Sequence, residues 1–306
     1  MIVAAVSLGG ASVSALVPWP GGEALAATAS SVVCSSSSHP ALAAKLARDI
    51  QTARRVRVST VAVRVDDPAA GLSCSLNAAM HFDSASVVKA TILGALLRKA
   101  MEQHRFLTRA EADLARSMIT ISDNGAASAL WNDVGRGWLQ HFLNLAGMRQ
   151  TFLGPGGYWG LTQITASDET LLLRLLRDSN PVLNSASRSY ALGLMASVVP
   201  SQRWGVAAGA PTSLTAHIKN GWLPRSTHEW RIHSIGVFTG RGTGYSIVVL
   251  TEDDPTMPYG IATIEAIARV IHRDLNPGTA SVIPQSTAAP SWSTPDEDIP
   301  ALPSVP

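Results

Sequence analysis

Charge is scarce in this chain and nearly cancels. Acidic and basic residues make 15% of it, and 24 Lys and Arg against 22 Asp and Glu leave a formal +2, too weak a field to attract a polyanion. No run of Lys or Arg and no basic stripe interleaved with aromatics occurs, which argues against nucleic acid as a partner. Cysteine is rarer still, with Cys34 and Cys74 the only two. There is no C-x-x-C or H-E-x-x-H spacing and the eight histidines are scattered, so neither a metal nor a cofactor is expected. No internal repeat is present.

Positive charge is missing altogether before Lys45. Met1 to Val17 are small and apolar, and Ala24-Leu25-Ala26 offers a small-x-small cleavage site. A secretory leader over 1–29 fits apart from its missing basic start, and an unstructured Ala/Ser leader fits as well. With Gly9, Gly10 and Pro18 the stretch is marginal for spanning a bilayer. A secreted, extracytoplasmic monomer is the expectation. In that setting an even pair of cysteines reads as a disulfide between Cys34 and Cys74. Lipidation of Cys34 is the less favoured alternative, because Ser31-Val32-Val33 places no small residue just before it. Closing a loop of that length contributes roughly 4 kcal/mol.

What the chain does have is apolar residues, 46% of 306, enough for a substantial core. Pro40 opens a helix to about 50. A β-branched strand over 56–65, turn chemistry from Asp66 to Gly71 and a returning strand over 72–76 form a hairpin. From 86 to about 202 the pattern is helical. Thr108 and Glu111 make a capping box for a helix to about Ile119. Short helices over 126–134 and 138–145 each end at a glycine, Gly135 and Gly147. A loop over 154–160 precedes a helix over 168–176 capped by Thr165 or Ser167, and a helix over 185–199 places Leu192, Leu194 and Met195 in the core. Strands over 214–218, 230–238 and 245–251 precede a long helix over 260–275. Beyond Pro277 the Pro/Ser/Thr-rich remainder, 277–306, reads as a disordered tail.

This order predicts an α/β (α+β) fold of two lobes. An antiparallel sheet flanked by the N- and C-terminal helices (40–80 and 213–276) encloses an all-α lobe (81–212), with a ligand cleft between them.

Three short motifs fall around that cleft. Ser86-Val87-Val88-Lys89 begins a helix, so Lys89 lies one turn from Ser86 on the same face. A lysine in a dry pocket beside a second cation loses proton affinity and can deprotonate a serine. Ser122-Asp123-Asn124 lies in a break between helices, and Lys219-Asn220-Gly221 in a strand. Asp123 reads as mainly structural, bonding backbone N–H groups of its loop.

S-x-x-K, S-D-N and K-N-G in this order resemble the class A β-lactamases and penicillin-recognising serine enzymes over most of 40–276. The resemblance implies that Ser86 is the acylated nucleophile and Lys89 its proton acceptor. It implies that Ser122 passes a proton to the leaving nitrogen, Asn124 contacts the substrate amide and Lys219 supplies positive charge. An oxyanion hole would use the backbone N–H groups of Ser86 and Trp222. Asn220, Gly221, Tyr158 and Trp159 would line the substrate. The substrate would be a β-lactam or a small wall-derived peptide, amide or ester.

The chain also departs from that pattern. The E-x-x-L-N loop motif, whose glutamate activates the deacylating water, is missing, and no acid occurs between Gly147 and Thr165. Asp168 and Glu169 lie in a first helical turn, where acids are ordinary dipole partners. Asn220 replaces a threonine, and bulky Trp222 after the motif implies a narrower site. Ser86 and Ser122 are closer in sequence than is usual in these enzymes, implying a trimmed helical lobe. Arg225, Arg231 and His233 are candidate partners for a substrate carboxylate. The expected activity is a serine hydrolase or acyltransferase, β-lactamase-like or D,D-peptidase-like, with slow loss of the acyl group. The alternatives are a penicillin-binding or sensing module acylated without efficient turnover, and a pseudoenzyme whose cleft Tyr158 and Trp159 fill.

Overall fold

The computed structural model of the protein describes residues 30–240, 243–279 and 281–283. The leader expected over 1–29 lies outside the described residues. Eight strands and seven α-helices are described. Strands β1 (Val33–Ser36), β2 (Thr60–Asp67), β3 (Leu72–Leu76), β6 (Thr215–Pro224), β7 (Trp230–Gly240) and β8 (Thr243–Asp254) form one sheet in the order β1-β3-β2-β8-β7-β6. Every pairing in it is antiparallel, and β6 is left at one edge. The other strands, β4 (His81–Asp83) and β5 (Gln163–Thr165), pair as a separate ribbon.

Alternation along the strands assigns the two faces. Ala62, Val248, Leu250, Ile235 and Val237 join one core with helices α2 (Val88–Glu102), α3 (Arg109–Thr120), α4 (Asn124–Ala146), α5 (Ala166–Arg177) and α6 (Ser185–Ala196). Their neighbours Val61, Val63, Val65, Ile247, Val249 and Ile232 join a second core with α1 (Pro40–Arg55) and α7 (Met257–Leu275). Strands buried on both faces read as near-continuous apolar runs, as Ile247 to Leu250 of β8 do in the sequence.

The local chemistry behaves largely as its residues require. Thr108 Oγ1 accepts from Glu111 N–H and the Glu111 carboxylate accepts from Thr108 N–H at 2.7 Å, completing the capping box. Arg105 grips the same carboxylate with two bonds of 2.7 Å and holds it down to about 2. Cys34 and Cys74 face each other across β1 and β3 and are bonded.

Some expectations need correction. The first strand of the hairpin begins at Thr60, not 56, because α1 continues to Arg55. The two helices read as 126–134 and 138–145 are present, following one another within α4 across a break at non-helical Gly135 (φ 77°, ψ 151°) and closed by left-handed Gly147. β5 interrupts the stretch read as helical and pairs with β4 just before that stretch; each is three residues long, too short for alternation to show. The tail begins later than Pro277: Val282 pairs with Pro211, and Ile283 N–H donates to Ala210 O at 2.7 Å. The rest of the expected tail lies outside the described residues.

Candidate active site

Ser86 sits in a 3-10 turn, Ala85–Val87, that opens α2. The turn is set by backbone bonds. Ser84 N–H donates to Thr162 O at 2.8 Å and Val87 N–H to Ser84 O at 3.1 Å. Ala85 is held at φ 47°, a left-handed conformation that costs a non-glycine residue about 1–3 kcal/mol and survives only where its surroundings fix it. Ser122 is held likewise at φ 59°, with Asp123 capping α4 through Ala126 N–H at 2.6 Å. Two of the motif segments therefore carry strained backbone at or beside a serine.

Lys89, one turn after Ser86, is fully buried. Its Nζ donates to Ser122 O at 2.6 Å, Asn124 Oδ1 at 2.7 Å and Ser122 Oγ at 3.1 Å. Lys219, also buried, reaches across from β6 to the same hydroxyl at 3.0 Å and donates to Asn220 O at 2.8 Å. Ser122 Oγ thus lies between two amines no more than about 6 Å apart. Two charges at that separation repel by roughly 3 kcal/mol at an effective dielectric of 20. Burial, and then the charge on Lys89, push Lys219 well below the ordinary lysine range.

β6 brings Lys219 to the serine because Gly221 lets the strand close on the turn. A Cβ at Gly221 would stand 2.9 Å from the backbone N of both Ser86 and Val87, and 3.1 Å from Ser84 O. The backbone of β6 is therefore packed against the amides at the start of α2. Strand alternation sends Asn220 and Trp222 to the opposite face, and here the structure corrects two expectations. Asn220 donates to Gln202 O (2.8 Å) and Trp204 O (3.0 Å) and accepts from Ser234 Oγ (2.6 Å), so its side chain is fully committed away from substrate. Trp222 packs on Trp204 in the core with α1 and α7, so its indole does not narrow the cleft.

The loop that lacks a glutamate supplies an indole instead. Trp159 is 5% exposed, its Nε1–H donates to Ser128 Oγ at 3.0 Å, and Lys89 Nζ lies 4.7 Å from the centre of its ring. Tyr158 beside it is 37% exposed. Asp168, after the N-cap Thr165, accepts from Gln150 N–H and Thr151 Oγ1, both at 2.8 Å, and so clasps the far end of this loop. Glu169 is wholly buried and neither of its oxygens has a hydrogen-bond partner.

His233 is a strut for the serine turn, not a carboxylate ligand. Its Nδ1 accepts from Thr251 N–H, so Nε2 carries the proton and donates to Asp83 O at 2.8 Å. Burial lowers it to about 4. Arg225 and Arg231 both lean on Asp83 Oδ2, at 3.4 and 3.5 Å, three residues before Ser86. Their charge is already opposed by a protein carboxylate, so neither stands free for a substrate.

Sequence reading missed Ser128, Asp83 and the Gln202–Trp204–Ser234 set that holds Asn220. The period-2 rule applied through Lys219-Asn220-Gly221-Trp222 could have separated the cleft-facing pair from the core-facing pair. No short-range signal points to Ser128.

A sequence model described as "Beta-lactamase enzyme family" (Beta-lactamase2) matches residues 108–275, more than half of the chain. No curated protein matches in sequence. Among solved structures the chain is similar to a class A β-lactamase from Bacteroides cellulosilyticus (18% identity, TM-score 0.66, covering 76% of this chain and 98% of that one). It is similar to a β-lactamase from Sphaerobacter thermophilus (21%, TM-score 0.63, 75% and 96%) and to one from Xanthomonas campestris pv. campestris (18%, TM-score 0.64, 75% and 97%). At these identities the likeness establishes a shared fold.

Proposed function

Since the chain belongs to the beta-lactamase enzyme family, we propose that it is an extracytoplasmic serine acyl-transfer enzyme acting on a β-lactam or a small peptide-like amide or ester, through an acyl-enzyme at Ser86. The observation that carries this reading is the Ser122 hydroxyl held between Lys89 and Lys219 at 3.1 and 3.0 Å. Lys89 places three N–H groups on three acceptors, which suits an ammonium. Burial, and then the charge on Lys89, lower the proton affinity of Lys219, which makes it the weaker holder of the proton. One proton is thereby shared along Lys89, Ser122 and Lys219.

The chemistry balances on that relay. Ser86 Oγ attacks the carbonyl carbon and gives its proton to Lys89 as Lys89 passes one through Ser122 to Lys219. A C–O bond forms, the C–N bond breaks, and the proton returns through Ser122 to the leaving nitrogen. Backbone N–H groups of Ser86 and Trp222 would receive the developing oxyanion, a contribution of several kcal/mol. Asn124, half-buried with Oδ1 bound to Lys89, keeps its amide N–H₂ for the substrate.

Hydrolysis of the ester needs a base for water. The loop that provides a glutamate in the enzymes this chain resembles provides Trp159 over Lys89. That favours a second reading within the same chemistry: the acyl group is accepted readily and released slowly, so that the protein acts as a penicillin-binding or sensing module. Export is consistent with the Cys34–Cys74 bond, and no helix among the described residues is long and apolar enough to cross a membrane. The test is labelling by a fluorescent penicillin in the parent and in Ser86→Ala. Labelling that disappears in the variant supports the reading; equal labelling overturns it.

A further inference from the structure

At the end of the sheet a second group of side chains converges, away from the lysine relay. His228 lies in the turn between β6 and β7, and Glu252 and Asp253 in the last residues of β8. The two segments are joined where Asp253 N–H donates to His228 O at 2.9 Å. One ligand atom from each of the three side chains lies within 4.8 Å of the others. His228 Nδ1 is 2.8 Å from Asp253 Oδ1 and 4.0 Å from Glu252 Oε1. Asp253 Oδ2 is fixed from the opposite side by Thr60 Oγ1 at 2.5 Å.

Glu252 is the informative member. It is buried, at 6% exposure, and the cationic nitrogens that face it, His228 Nδ1 and Arg231 Nε, are both 4.0 Å away, beyond hydrogen-bond reach. A buried carboxylate whose cations stand that far off recovers little of the solvation it gave up. Arg231 is shared between Glu252 and Asp83, and Arg225 also faces Asp83, so the carboxylates of Asp83, Glu252 and Asp253 outnumber these two guanidiniums. The surplus negative charge lies on the His228 side of Glu252, where Asp253 adds a second carboxylate.

We propose that His228, Glu252 and Asp253 form a binding site for a divalent cation of the zinc type. One imidazole nitrogen and two carboxylate oxygens, with water completing a tetrahedron, suit zinc or cobalt; magnesium and calcium favour six or more oxygens. Ligand bonds of about 2.0–2.2 Å place tetrahedral donors roughly 3.4 Å apart. The His228 separations of 2.8 and 4.0 Å bracket that value, and His228, exposed on its turn, can move to meet it. The two carboxylates neutralise the ion. Sequence spacing hides the site because its ligands come from residues 228 and 252–253.

The proposal stands independently of the chemistry at Ser86, and its test does not use that activity. The full chain without a histidine tag, stripped with EDTA, is titrated with zinc by calorimetry and with cobalt by visible absorption. One ion per chain is expected, with a four-coordinate cobalt spectrum. His228→Ala and the isosteric Glu252→Gln are each expected to weaken binding at least tenfold while melting cooperatively with parental far-ultraviolet circular dichroism. Absence of binding in the parent overturns the proposal, as does binding that survives either substitution.

Discussion

Glu169 offers the sharpest test of how this fold treats a buried charge. It lies in the first turn of α5, fully buried, with neither carboxylate oxygen hydrogen-bonded. Burial first, and then the charge of Asp168, push it up from the usual 4.5 to about 8. Between those two values the folded chain holds a proton that the unfolded chain has released, so stability falls as pH rises through that window. At 1.36 kcal/mol per pH unit the loss amounts to on the order of 5 kcal/mol. The contribution is fully present below about pH 4.5 and gone above about pH 8. Methionine has similar bulk and no charge, so Glu169→Met should lack this slope. With about 2–4 °C per kcal/mol for a chain of this size, the variant should gain on the order of 10 °C in Tm over the parent between pH 5 and pH 9. Calorimetric melts of both proteins across that range provide the measurement. Parallel Tm curves would refute the reasoning, because they would mean that Glu169 finds a partner or water in solution.

Replacing Lys219 by Met should slow acylation by roughly 10²–10⁴-fold and remove the rise of rate with pH that a lysine depressed below its ordinary range imposes; stopped-flow with a chromogenic cephalosporin checks both. Gly221→Ala should cut acylation at least tenfold, because the added carbon would meet only backbone atoms, at 2.9–3.1 Å from Ser86, Val87 and Ser84, and a parental rate would show that β6 does not press on the turn. Trp159→Ala should shorten the life of the acyl adduct by admitting water beside Lys89, and an unchanged lifetime measured by intact mass would show that the indole is not what excludes it.

Much of the architecture was legible because it rests on local chemistry. The Thr108–Glu111 box, Pro40 at a helix start, Gly135 and Gly147 as breaks, the alternation along β7 and the β-branched run of β8 each point to one conformation. The residues around Ser86, Lys89, Ser122 and Lys219 could be picked out because their motifs are short and contiguous. What escaped depends on which way a strand faces and on distant partners. Asn220 looked like a substrate contact and the Trp222 indole like a wall narrowing the cleft, yet an extended backbone turns both side chains to the opposite face. His233 and Arg231 looked free because sequence does not show that Asp83, about 150 residues earlier in the chain, meets both. The short β4–β5 ribbon is specified by its partners and leaves no periodic trace.

Ser86 Oγ is the atom on which the acyl group must be carried. Parent protein mixed with excess benzylpenicillin should gain the mass of one intact penicillin within the first minutes, and peptide mapping should place it on Ser86. The adduct should persist long after free drug is removed. An unmodified mass at every time point, or an adduct mapped to another residue, would contradict the account.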